Sequence, residues 1–114
     1  MDRQKTLKAI EEYRCQIDEI DRRIVEILNE RTRLVERLGE LKEQLALPIY
    51  EPQREDEIYR NVIAHNRGPL PPEAVRRLFE RILDEMRTLQ KINRENRSKR
   101  LPLSPQDEIR GESG

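Results

Sequence analysis

The chain has 114 residues, of which 40% are charged and 4% aromatic, with no tryptophan. That bounds it to one domain at most, with too little apolar side chain to bury a large compact core alone. Its 23 basic and 23 acidic residues cancel, so bulk charge points to neither a nucleic acid nor an acidic polymer as partner. The single Cys15 excludes an internal disulfide and fits a reducing cytosol, so the expected location is cytoplasmic. The N-terminal stretch MDRQKTLKAIEEYR lacks the apolar segment of a secretion signal, and no apolar run approaches a membrane span. No membrane partner is expected.

The first predicted element is a helix from about Lys5 to about Leu45. Its apolar residues are Ile10, Tyr13, Ile17, Ile20, Ile24, Ile27, Leu34, Leu38, Leu41 and Leu45, and their steps alternate 3 and 4. This is the seam of a long amphipathic helix. Arg31 occupies the one seam position that should be apolar. A guanidinium there is costly unless an anion meets it, either a protein carboxylate or a ligand carboxylate. Lys42 follows Arg31 by 11 residues, close to three full turns, so both cations point to nearly the same side about 16 Å apart. Arg14 precedes Arg31 by 17 residues, about 25 Å along a straight helix. It cannot reach the same small site within one chain, but an antiparallel partner helix could bring it there.

The segment ALPIYEP breaks this helix, with Pro48 ending it and Pro52 suiting the first turn of the next. A second helix is predicted over about Pro52 to His65, with Ile58, Tyr59, Val62 and Ile63 inward. Glu51 falls at or beside its N-cap, and Arg54 and Glu55 lie on or next to the apolar face. NRGPLPPE is the next loop, with Gly68 as the stop and Pro71–Pro72 as the restart. A third helix is predicted from about Pro72 to about Asn93, with the stripe Val75, Leu78, Phe79, Ile82, Leu83, Met86 and Leu89. Gln90 extends that stripe. Periodicity fails from Asn96, so residues 1–95 read as the helical domain and 96–114 as a disordered polar tail that adds nothing to a site.

Singly, these polar residues have plain explanations. An arginine on a seam can set register, an Arg–Glu pair in a first turn is an ordinary ion pair, Met86 is core, and Cys15 is a small, inert, half-buried residue. Together, Arg31 with Lys42, Arg54 with Glu55, and Gln90 describe a pocket for a small dianion bearing a hydroxyl. No serine or cysteine pairs with a histidine, and neither a metal-ligand cluster nor a glycine-rich phosphate loop is visible. Any catalysis would work by positioning and electrostatics, with no cofactor and no metal.

From about Leu7 to about Lys91 the chain resembles the all-helical chorismate mutase family. The segments that carry the resemblance are YRCQIDEIDRRIVEILNERTRLVERLGELK, LPIYEPQREDEI and RLFERILDEMRTLQ. The resemblance implies an all-α fold, an intertwined homodimer of three-helix protomers with shared active sites, and rearrangement of chorismate to prephenate on the way to phenylalanine and tyrosine. By the same resemblance, Arg14 reaches a substrate carboxylate from the partner subunit and Arg31 grips a carboxylate within its own. Lys42 stands beside the breaking ether bond. Arg54 and Glu55 match an arginine–glutamate pair in which Glu55 takes the ring hydroxyl, and Gln90 donates to the ether oxygen. Glu51 stands where the family can carry an aspartate, with its backbone N–H as the contact. Met86 stands where a serine can assist a carboxylate. Two rivals remain: an isochorismate pyruvate lyase of the same architecture, and a non-catalytic helical dimerisation or regulatory module.

Overall fold

The computed structural model describes residues 2–100. Over these residues the chain is all-α, with three helices: α1 (Arg3–Gln44), α2 (Pro52–Ala64) and α3 (Pro72–Arg100). No strand occurs among the described residues. The chain divides into two compact units between Leu34 and Val35.

The N-terminal unit is the first part of α1. It begins two residues before the expected Lys5 because Asp2 caps it: the Asp2 carboxylate accepts from the Lys5 backbone N–H at 2.8 Å. The apolar seam runs along this stretch as expected, yet its members stand open to solvent. Tyr13 is 65% exposed and Ile27 62%, and Leu7, Ile10, Ile17, Ile20 and Ile24 are exposed as well. Cys15 is also exposed rather than half-buried.

The C-terminal unit holds the end of α1 with α2 and α3. α1 stops at a Schellman motif. The Leu47 N–H donates to the Lys42 carbonyl at 2.8 Å and the Ala46 N–H to the Glu43 carbonyl at 3.0 Å. Ala46 takes the left-handed conformation, φ 55°, that this motif usually gives to glycine. Pro52 opens α2 at its first turn, as expected. After α2, the His65 ring bonds the Asn61 carbonyl at 2.8 Å, and Gly68 turns the chain at φ 75°.

α2 packs on α3, and among the described residues Tyr59, Val75 and Leu83 are the buried apolar side chains. Ile58, Val62 and Ile63 are half-buried beside Tyr59. Leu78, placed inward from the sequence, is 54% exposed. It lies about 60° round the helix from Val75, away from the Leu83 side, at the edge of a stripe wider than its buried part.

The third helix departs most from expectation. It continues to Arg100, so residues 96–100 are helical and not tail. No proline or glycine interrupts it before Pro102, and charge holds its last turns. Arg97 Nε donates to Glu43 Oε2 at 2.7 Å, and Arg94 Nη1 donates to the Leu47 carbonyl at 3.1 Å. Arg97, Lys99 and Arg100 also complement the negative end of the helix dipole. The rest of the expected tail, 101–114, lies outside the described residues.

Candidate active site

The C-terminal unit gathers Lys42, Glu51, Glu55 and Gln90 with groups from all three helices. Lys42 is buried, at 7% exposure. It occupies the last turn of α1, where its backbone carbonyl anchors the Schellman motif. The ammonium donates to the Ile49 carbonyl at 2.9 Å and pairs with Glu51 Oε1 at 2.7 Å. Glu51 is the N-cap of α2, yet its side chain caps nothing there; the carboxylate is turned to Lys42 instead. An ammonium has three hydrogens to donate, and these partners use two.

Glu55, in the first turn of α2, is largely buried and pairs with Arg87 of α3. Arg87 also reaches Asp84 Oδ1 at 3.3 Å and lies 5.4 Å from the centre of the Tyr50 ring. The hydrogen bond to Glu55 raises the Arg87 pKa above the ordinary arginine value, against the opposing effect of burial. Next to this pair, burial pushes the Tyr59 phenol up, and the Glu55 and Glu80 carboxylates push it further. The Arg76 guanidinium sits 4.3 Å above the Tyr59 ring and acts in the opposite sense.

Gln90 is buried at 8% exposure, and its Nε2 donates to the Val35 carbonyl at 3.3 Å. Gly39 lies beside it: a Cβ there would meet Gln90 Cγ at 3.5 Å and Nε2 at 3.6 Å, ordinary van der Waals contact.

The other expected residues are placed differently. Arg54 is exposed and donates to Glu57 at 2.9 Å, not to the adjacent Glu55. Met86 is half-buried on α3. Arg14 and Arg31 belong to the N-terminal unit. Arg14 is exposed and pairs with Glu11 at 2.7 Å, while Arg31 is half-buried. A cleft of about 600 Å³ opens beside the start of α2, lined by Leu38, Tyr50, Glu51 and Arg54 among others. Lys42, Glu55 and Gln90 do not line it. Among the described residues no group of three His, Cys, Asp or Glu side chains could hold a metal ion, and no helix is long and apolar enough to cross a membrane.

Sequence reasoning missed Arg87 and the side-chain role of Glu51. Arg87 lies next to Met86 on the flank of the α3 stripe, where a cation reads as solvated surface. Its only signal was that Glu55, on an inward face, needed a cation.

Residues 13–91 match the family model for chorismate mutase type II. The chain belongs to the type II chorismate mutase family. A solved chorismate mutase structure from Thermus thermophilus (form II) is 38% identical, with a TM-score of 0.71 over 73% of this chain and 94% of that one. Form I from the same organism is 40% identical, with a TM-score of 0.66 over 68% and 98%. A bifunctional chorismate mutase/prephenate dehydratase from Aquifex aeolicus is 36% identical over 89 residues, 75% of this chain and 25% of that protein. The chain therefore spans about a quarter of the length of this curated relative. Lys42, Glu51, Glu55 and Gln90 all lie inside the segment that matches the family model.

Proposed function

We propose that the chain rearranges chorismate to prephenate in the synthesis of phenylalanine and tyrosine, as a cytoplasmic homodimer with shared sites and no cofactor. The observation that carries this is a buried ammonium and a buried amide, Lys42 and Gln90, held by all-helical scaffolding in a chain of the chorismate mutase family. Free chorismate disfavours the compact arrangement in which its enolpyruvyl arm lies over the ring. In this reading Arg31 and the partner's Arg14 each grip a carboxylate, which holds that arrangement at little further entropic cost. Arg54 adds positive charge at the start of α2, and Glu55, oriented by Arg87, accepts the ring hydroxyl. The Glu51 backbone N–H faces the same group, and Met86 takes the apolar side of the site.

As the C–O bond breaks, negative charge grows on the ether oxygen. The third hydrogen of the Lys42 ammonium and the second hydrogen of the Gln90 amide are the donors for it. Both are fixed in advance by protein partners, so they stabilise the transition state more than the ground state without reorganising. The reaction forms one C–C bond, breaks one C–O bond and moves no proton, which agrees with a site that offers no nucleophile.

The test is a chorismate-depletion assay on the purified chain with product analysis by mass. Prephenate is the expected product. Pyruvate release from isochorismate without turnover of chorismate would indicate the lyase, and chorismate binding without turnover would indicate a regulatory module; either result overturns the proposal.

A further inference from the structure

The end of α3 reaches back to the turn that carries Lys42. Three contacts make the link, all within the C-terminal unit. Arg97 Nε donates to Glu43 Oε2 at 2.7 Å, and Arg94 Nε lies 3.8 Å from the same oxygen. Arg94 Nη1 donates to the Leu47 carbonyl at 3.1 Å. Glu43 is the chain neighbour of Lys42. Leu47 is the residue whose N–H closes the Schellman motif on the Lys42 carbonyl.

We infer that Arg94 and Arg97 are positioning residues for Lys42. They act through the segment from Leu45 to Glu51, which supplies both partners of the ammonium: the Ile49 carbonyl and the Glu51 carboxylate. The turn that opens this segment needs holding. Ala46 sits in the left-handed region without a glycine's freedom, and such a conformation persists only when its surroundings over-determine it. The backbone of Leu47 is fixed at both ends, its N–H on the Lys42 carbonyl and its own carbonyl by Arg94. Without Arg94 and Arg97 the segment is tied to α1 only by the backbone bonds of the turn and by the Lys42 ammonium itself, so the Ile49 carbonyl and Glu51 carboxylate move with the ammonium instead of fixing it. The ammonium then samples more than one position, which weakens a donor that must meet the ether oxygen within a few tenths of an ångström.

This inference rests on the mutase reading for its catalytic consequence but not for its structural one, and the test separates them. The reactivity of Lys42 towards an amine-acylating reagent, followed by peptide mass mapping, reports the freedom of the ammonium without any turnover. The exposed Lys5 and Lys8 serve as internal references. Arg97→Gln and Arg94→Gln are expected to raise Lys42 acylation threefold or more relative to those references. They should lower kcat for chorismate by three- to tenfold with a smaller change in KM. Arg97→Lys, which keeps a cation for Glu43, should restore most of both. Glu43→Gln removes the shared carboxylate with little change of shape and carries the test if an arginine variant fails to fold. Unchanged Lys42 acylation in folded Arg94→Gln, Arg97→Gln and Glu43→Gln overturns the inference. Raised acylation with unchanged kcat overturns its catalytic part. Raised acylation in a chain whose parent does not convert chorismate leaves the positioning intact and refutes the mutase reading instead.

Discussion

At the scale of single residues, the proposed site is a set of polar groups, of which Lys42, Glu55 and Gln90 are each held by a second one. Gln90 shows what that implies for pH. An amide does not titrate, so the parent rate should be flat between pH 5 and pH 8 as far as this donor is concerned. In Gln90→Glu, an ionised carboxylate would repel the charge growing on the ether oxygen, and only the protonated form could donate. The variant should be weak at pH 8 and recover as pH falls, aided by burial and the Val35 carbonyl, both of which favour the neutral acid. Steady-state rates over that range decide it; a variant profile as flat as the parent's would place Gln90 away from the reacting oxygen. Tyr59 offers a second titration. Its folded pKa lies above the ordinary tyrosine value of 10.0, so the folded state keeps the phenolic proton to higher pH than the unfolded chain does. Its contribution to stability is fully present below about pH 10 and is lost as pH rises through the folded value. A tyrosinate difference titration between parent and Tyr59→Phe should show a midpoint above about 10, and above that pH the parent should lose stability relative to Tyr59→Phe. A midpoint at or below the ordinary value would mean that the phenol is not buried beside Glu55 and Glu80.

At the scale of elements, the three helices were legible because apolar side chains mark their own period. The seam of α1 could be counted residue by residue, and Pro48, Pro52 and Pro72 punctuated the rest. The last turns of α3 were not legible, because their support is ionic and comes from another element: nothing in NRENRSKR points to Glu43, which lies far upstream. The same holds for Arg87 with Glu55 and for Glu51 with Lys42, pairs made across helices that leave no local spacing to count. The family resemblance singled out Lys42, Glu55 and Gln90 but gave Glu51 only a backbone role. The end of α1 misled in a different way. Pro48 was read as the stop, whereas the helix already ends in a left-handed turn at Ala46, a residue chemically unsuited to it. Ala46→Gly should therefore stabilise the chain by about 1 kcal/mol, since glycine adopts this conformation without a Cβ clash. Urea melts at matched protein concentration would measure it. A destabilised variant would mean that the loss of unfolded-state restriction outweighs the strain relieved.

At the scale of the whole molecule, the decisive fact is how little one chain buries. Among the described residues only Tyr59, Val75 and Leu83 are buried apolar side chains, while the α1 seam from Leu7 to Leu45 stands mostly exposed. A stripe this long, open to water, marks an interaction surface, and its 3–4 spacing suits another helix of the same kind. A second copy meets both requirements and resolves the separation of Arg14 from Arg31, about 25 Å along one helix. If each site takes Arg31 from one chain and Arg14 from the other, two inactive variants should complement each other. A dimer of Arg14→Ala with Arg31→Ala contains one site with both arginines and one with neither. Random exchange makes half the dimers mixed, so activity should return to about a quarter of the parent's. Exchange under mild denaturant, followed by a chorismate assay, measures this. Recovery should follow the fraction of mixed dimers resolved by native mass spectrometry. If mixed dimers form and activity stays at the level of the separate variants, Arg14 and Arg31 do not meet across the interface. A parent that sediments as a fully active monomer would remove the need for a second chain altogether, and the exposed seam of α1 would then have to serve a different partner.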